Sequence, residues 1–200
     1  MEQDLKDRVI FNRYGLIIFN KLPGEDSEKL PELLGDDLRV LSRLDKPVAG
    51  LIPLIKPGID GEDFIFEKIY TAVVSGDPGD KGRFEDLIFH DRRNNKTFVV
   101  KGMRKGVKEA VLSFERLAYD RENDLSLVRI RLETGRTHQI RIQFASRKMP
   151  LAGDGKYGSR VKLPFVSLMA SEIKVMDRDY KEIATVSAPL PKVFPWDLYC

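Results

Sequence analysis

Apolar residues in this chain come in short clusters cut off from one another by Gly, Pro, Asp and Asn, a spacing that suits strands better than helices. Val9 to Phe19 carries Leu16-Ile17-Ile18-Phe19 behind a Tyr14-Gly15 break and predicts strand running into a Lys21-Leu22-Pro23-Gly24 turn. Residues 51–55, Leu-Ile-Pro-Leu-Ile, are apolar on both faces and predict a buried element, with Pro53 confining a strand there to an edge or bulge. Ile69 to Val74 is β-branched and aromatic and ends at Ser75-Gly76, which predicts a strand. In 125–132, Val128, Ile130 and Leu132 alternate with Arg129 and Arg131, the period of a half-buried strand.

The remaining segments are less regular. From Asp77 to Asn95 the chain is rich in Gly, Asp and Arg and predicts long connections around a short apolar piece, Leu87-Ile88-Phe89. Lys96 to Val100, Ala110 to Ala118, Phe165 to Val175 and Ala184 to Ala188 predict further strands, and Gly153-Asp154-Gly155 and Tyr157-Gly158 predict loop. Thr137 to Ser146 fits either period, but Thr137 after Gly135 can cap a helix, which favours a helix with its amide donors beside Arg136 in a corner suited to phosphate. No internal repeat is evident. Strands in succession with few helical patterns predict an α+β fold, a mixed, mainly antiparallel β-sheet with flanking helices.

Composition narrows the class. An apolar content of 42% over 200 residues suits a globular core, and with no Ser/Gly/Pro-rich linker a single domain over 1–200 is the simplest organisation. The formal charge of +3, from 34 Lys+Arg against 31 Asp+Glu, is not that of a polycation, so any anion binding must come from local clusters. Such clusters are Arg92-Arg93 with Lys96, Lys101 to Lys108, and Arg136, Arg141, Arg147 and Lys148; for 101–108 a solvated face is the simpler reading. The lone cysteine, Cys200, excludes an intramolecular disulfide and a cysteine metal cluster. With no apolar run of about twenty residues and no signal-peptide pattern at Met1-Glu2-Gln3-Asp4, the expectation is a soluble, cytoplasmic protein.

Two segments hold the densest chemistry. In Ser42-Arg43-Leu44-Asp45-Lys46 a carboxylate lies between cations, which keeps Asp45 ionised and suits it to act as nucleophile or base; a plain surface ion pair would look the same. In Gly135-Arg136-Thr137-His138-Gln139-Ile140-Arg141, His138 is bracketed by arginines, although a histidine bonded to a backbone carbonyl fits that pattern too. His90 lies in a polar stretch and reads as exposed. Tyr70 is either a half-buried strand aromatic or a ring placed to stack on an extruded base. Neither histidine sits in a zinc pattern, and no Walker or dinucleotide glycine loop occurs.

Taken in order, these segments resemble one family. Arg43-Leu44-Asp45-Lys46 followed by Gly50-Leu51 is similar to the R-L-D motif of RluA-type RNA pseudouridine synthases. Lys68 to Gly76 is similar to that family's K-x-Y-x-A-x-V-x-G strand, and Asn20-Lys21-Leu22-Pro23-Gly24 to its N-K-P-x-G turn. Glu133 to Gly158, with Thr134 to Arg141 and Pro150 to Gly158, resembles its third block. The resemblance runs from about Val9 to about Val175 in the family's order, which is far more specific than any one motif. It implies a pseudouridine synthase catalytic domain that isomerises uridine in a structured RNA, tRNA or rRNA, without cofactor or metal. By the same resemblance Asp45 is the catalytic aspartate, Tyr70 packs on the extruded uracil and serves proton removal from C5, and Arg141 pairs with the aspartate. Arg43 helps to fill the space the base leaves, Arg136 and His138 contact RNA, and Leu168 lies under the base. No membrane or DNA partner is expected, a monomer is compatible with the sequence, and no S4-type RNA-binding domain fits before Val9.

The sequence also departs from that pattern. Ser42 stands where the family usually has His, Pro47-Val48-Ala49 replaces a segment that normally ends Thr-Ser, and Met169 stands at a usual histidine. An RNA-binding or remodelling member without isomerase activity is therefore the alternative. A carboxylate enzyme cleaving a glycosidic bond is a third reading, but lacks an evident second carboxylate.

Overall fold

The computed structural model describes residues 2–34 and 37–199, and side chains from residue 5 onward within those spans. The chain divides into two compact units: residues 1–69 with 169–190, and residues 70–168 with 191–200. The division falls inside two strands, between Ile69 and Tyr70 and between Leu168 and Met169.

In the first unit a short helix, α1 (Glu2–Asp7), precedes the hairpin of β1 (Val9–Arg13) and β2 (Leu16–Lys21). The predicted Tyr14-Gly15 break is a two-residue turn with positive φ at both positions, which matches the twist of the strands it joins. Helix α2 (Leu30–Leu34), β3 (Arg39–Val40) and β4 (Ala49–Ile55) follow. β2 lies antiparallel to β4, and Leu16, Ile18, Phe19, Leu51, Ile52 and Leu54 are wholly buried, as their apolar runs predict. Pro53 does not mark a sheet edge. It lies opposite Ile18 of β2, and on its other side its carbonyl accepts from Leu41, just outside the two-residue strand β3. β10 (Leu168–Met176) pairs with Ala49 and Gly50 and β3 with Leu54 and Ile55, so the missing N–H falls where one neighbour gives way to the next. β11 (Glu182–Ser187) closes this unit by pairing antiparallel with β10, which starts later than the predicted Phe165.

In the second unit the strand order is β5, β9, β8, β6, β7. Here β5 is Ile65–Ser75, β6 Lys81–Asp91, β7 Lys96–Val100, β8 Val107–Asp120 and β9 Leu125–Leu132. The expected connections of 77–95 are mostly strand: β6 is eleven residues long and bonded to β7 on one side and β8 on the other. Its pattern is masked at Gly82 and Asp86. A side chain at Gly82 would run into the Phe114 ring, and Asp86 is held by Arg147 and Gln143. Helix α3 (Gln139–Ala145) packs by Phe144 on Phe84 and Phe114, with ring centroids 5.1 and 5.5 Å away. All pairs but β4–β10 that are given a direction here run antiparallel, so the fold is the expected α+β type. Among the described residues, no helix is long and apolar enough to cross a membrane.

Candidate active site

Asp45 stands on the loop that leads into β4, and the loop is gripped from several elements of its own unit. The Ser27 hydroxyl donates to the Leu44 carbonyl at 2.9 Å and accepts from the Leu44 amide at 3.1 Å. The Asp45 carbonyl accepts from the Val48 amide at 2.9 Å, closing a turn over residues 45–48. The Lys46 carbonyl accepts from the Gly24 amide at 2.7 Å and from the Lys21 amine at 3.2 Å. Lys21 is fully buried and also donates to the carbonyls of Leu22 and Glu25, so the Asn20-Lys21-Leu22-Pro23-Gly24 turn is tied to the Asp45 loop by its lysine. Burial pulls the Lys21 amine down to about 8, against the opposing pull of the negative charges of Glu25, Asp26 and Asp45.

The flanks of Asp45 differ from one another. Arg43 is exposed and ion-paired with Glu28 at the surface. Ser42 is partly buried, and its hydroxyl accepts from the amine of Lys68 on β5, whose pKa burial lowers to about 8. Gly50 explains the motif's glycine: its φ is +113°, and a Cβ there would lie 2.3 Å from the Ala170 carbonyl oxygen across the parallel pair with β10.

The second unit holds the arginine corner. Gln139, the first residue of α3, accepts through its side-chain oxygen from Thr134 Oγ1 at 2.9 Å and the Arg136 amide at 3.0 Å, and donates to the Val111 carbonyl. This buried amide shapes the glycine turn. The expected Thr137 cap is not formed: the helix starts after His138, at φ 56° and without a side-chain cap bond, and the Gln139 amide goes to the Arg136 carbonyl. The Arg136 and Gln139 amides are used within the turn rather than offered to a phosphate. Arg136 itself is exposed, with its Nε donating to the Glu109 carbonyl.

Arg141, 4% exposed, forms a two-pronged bond with Asp154, Nε to Oδ2 at 2.7 Å and Nη2 to Oδ1 at 2.9 Å. Its guanidinium carbon lies 5.1 Å from the centre of the Tyr157 ring. The Tyr157 hydroxyl accepts from the Thr97 amide at 2.8 Å and lies 2.8 Å from His138 Nδ1. The one phenol oxygen thus joins the Thr97 backbone to the His138 ring. Burial raises the Tyr157 pKa, so the phenol keeps its hydrogen. His90, the second histidine, points Nδ1 at Thr97 Oγ1, which donates to the Thr137 carbonyl, and is partly buried rather than exposed.

Tyr70 opens the second unit's part of β5 and is 9% exposed; Leu168, 4% exposed, begins β10. The strand that carries Tyr70 is zipped to the third block. The Ala152 amide donates to Val73, the Val73 amide to Ser167 and the Ser167 amide to Ala152. Gly153 is required at this crossing, since a Cβ would sit 1.9 Å from the Phe165 carbonyl oxygen. The structure therefore brings His138, Arg141 and the 150–158 block together around Tyr157, and keeps Arg136 on the surface. Sequence reasoning missed Asp154, Tyr157, Ser27 and Lys68. Lys68, Asp154 and Tyr157 lay inside segments that resemble the family's motifs, whereas Ser27 carried no signal.

Solved structures share this fold. The chain superposes on human RNA Pseudouridylate Synthase Domain Containing 1 with a TM-score of 0.75 at 16% identity, covering 92% of this chain and 84% of that one. Human RNA Pseudouridylate Synthase Domain Containing 4 gives 0.74 at 18% identity, covering 99% and 94%. At these identities the likeness speaks for the fold. Residues 61–146 match the family model described as RNA pseudouridylate synthase, and the sequence is 35% identical over 164 residues to YlyB of Bacillus subtilis (strain 168), an RNA pseudouridine synthase by name. That match covers 76% of this chain and 52% of YlyB. Ribosomal large subunit pseudouridine synthase D of Vibrio cholerae is 32% identical over 150 residues, 70% of this chain and 44% of that protein. The chain belongs to the RNA pseudouridine synthase family, with the motifs of its RluA-type members. It spans about half the length of the curated relatives it matches.

Proposed function

We propose that this chain isomerises uridine in structured RNA to pseudouridine, with Asp45 as the catalytic carboxylate. The observation that carries the reading is the Asp45 loop: an R-L-D segment whose backbone is held on both sides of the aspartate by Ser27, Val48, Lys21 and Gly24. A surface ion pair needs no such support, whereas a reacting group must be placed to within a fraction of an ångström. In the reaction the bond between uracil N1 and ribose C1′ breaks, the base turns, C5 joins C1′, and the proton leaves C5 while N1 gains one. Asp45 assists at the ribose, as nucleophile at C1′ or base at C2′. Tyr70 lies against the base and serves C5 deprotonation, and Leu168 supplies apolar surface beneath the base. Arg141 serves as partner of the catalytic aspartate, its guanidinium pre-set by Asp154. Arg43 and Arg136, both exposed, contact RNA, whereas His138, expected to join them, is buried at 7% exposure and bonded to Tyr157, so its part is to hold the turn that follows Arg136 rather than to meet RNA itself.

Relatives named for the ribosomal large subunit make rRNA the first substrate to test, with tRNA second. The test incubates the protein with bulk rRNA and tRNA from a strain lacking the gene and maps pseudouridines. Restoration of a site by wild type and not by Asp45→Asn is the expected result. Restoration by neither, with RNA binding intact, gives the alternative of a non-isomerising RNA-binding member, which Ser42, Pro47-Val48-Ala49 and Met169 keep in view.

A further inference from the structure

We propose that Ser27 and Lys68 are positioning residues for the Asp45 carboxylate, gripping the chain at Leu44 and Ser42 on either side of Arg43. The inference rests on the isomerase reading and adds two residues that lie outside the R-L-D motif.

The argument starts from the peptide planes around Asp45. Its Cα–Cβ direction is set by the peptide before it and the peptide after it. The preceding peptide ends in the Leu44 carbonyl, which accepts from Ser27 at 2.9 Å. The following peptide carries the Asp45 carbonyl, which accepts from Val48 at 2.9 Å. Both planes that flank the aspartate are thus fixed by bonds, in a stretch that belongs to no helix or strand. One more plane back, the Leu44 amide donates to the same Ser27 oxygen at 3.1 Å. One buried hydroxyl, 2% exposed, therefore holds two successive peptides, and a residue at 27 without a hydroxyl would leave both Leu44 groups without that partner.

Lys68 acts on the next residue outward. Its amine donates to Ser42 Oγ, and this tie depends on a departure of this chain, because the family usually has His at that position. Lys68 lies on β5 two residues before Tyr70, so the bond links the strand that carries one proposed active residue to the loop that carries another. Burial without an opposing carboxylate is what lowers this amine. A lysine kept there needs an acceptor, and Ser42 supplies it.

The test measures single-turnover rates and half-saturation on bulk rRNA labelled with tritium at uridine C5, for wild type, Ser27→Ala, Ser42→Ala, Lys68→Met and the Ser42→Ala/Lys68→Met pair. Misplacing Asp45 lowers the maximal rate of Ser27→Ala about 10- to 100-fold while half-saturation stays within about twofold. Ser42→Ala and Lys68→Met each lower the rate several-fold, and the double variant is no slower than the slower single one, because both remove one bond. A Ser27→Thr variant, which keeps the hydroxyl, recovers rate relative to Ser27→Ala at matched folded fraction by circular dichroism. Wild-type rates in folded Ser27→Ala, or additive losses at 42 and 68, overturn the inference and leave the isomerase reading standing. Absence of tritium release by wild type from bulk rRNA and from bulk tRNA labelled in the same way overturns the reading, and the role assigned here falls with it.

Discussion

The Asp45 loop and the Arg141 corner each hold one charged group, and they do so by opposite means. Around Asp45 the bonds go to backbone: Ser27, Lys21, Gly24 and Val48 all grip amides or carbonyls of residues 44–46. Around Arg141 they go to side chains: Asp154 takes the guanidinium, Tyr157 lies beside it, and Thr97 and His138 hold Tyr157. The first arrangement fixes where a short side chain starts, on a residue that is partly buried. The second fixes the far end of a long side chain that is almost fully buried. A group that reacts needs access and a group that orients needs rigidity, so the two regions differ as their proposed roles differ.

The sharpest way to break this contrast is Asp45→Asn. It keeps the shape and every backbone bond of the loop, so pseudouridine formation falls at least about a thousandfold while the thermal midpoint moves by no more than about 2 °C. Tritium release and circular dichroism on the same preparations check both halves. A large loss of stability would show that Asp45 holds the loop, rather than the reverse.

The opposite balance is expected across the boundary. Asp154→Ala leaves the Arg141 guanidinium without its two-pronged carboxylate, and breaking a buried pair in this way costs about 3–5 kcal/mol. Urea unfolding reads the loss directly. Asp154→Ala within about 1 kcal/mol of wild type would mean that the corner is not organised around this pair. Tyr157→Phe is milder: it takes the oxygen from the Thr97 amide and His138 Nδ1 and costs about 1–3 kcal/mol. The same urea unfolding reads it, and a Tyr157→Phe variant as stable as wild type would remove the phenol from that role.

The contrast also explains what the sequence made legible. Asp45, Tyr70 and Arg141 stand in ordered motifs, and the apolar runs of β2, β4, β5 and β9 announced their strands. β6 was hidden because Gly82 and Asp86 interrupt its alternation, and each makes sense only beside Phe114 or Arg147 from other elements. The same holds for the site. Asp154 lies 13 residues from Arg141 along the chain, and Ser27 lies 17 from Leu44. A serine and a short acidic turn are too common to signal such partners. Bonds that close only in three dimensions leave no period in the sequence.

The smallest expected effect concerns pH and Lys68, the tie between β5 and the loop. Its pKa in the folded protein is lowered from 10.5 to about 8 by burial. Between those values the unfolded chain binds more protons at this site than the folded one, so its contribution to stability rises as pH rises from about 8 to 10.5. Below pH 8 both states are protonated, and the fold bears the full cost of the buried charge. Discounted for screening at a side chain that is only partly buried, the gain is on the order of 1 kcal/mol. Urea unfolding of wild type and Lys68→Met across that range isolates it: the difference between the two proteins grows in favour of wild type as pH rises. A difference independent of pH would place the amine in water and weaken its bond to Ser42. A difference that shrinks would mean that a carboxylate holds the ammonium, and that the loop is braced by charge rather than by the hydroxyl.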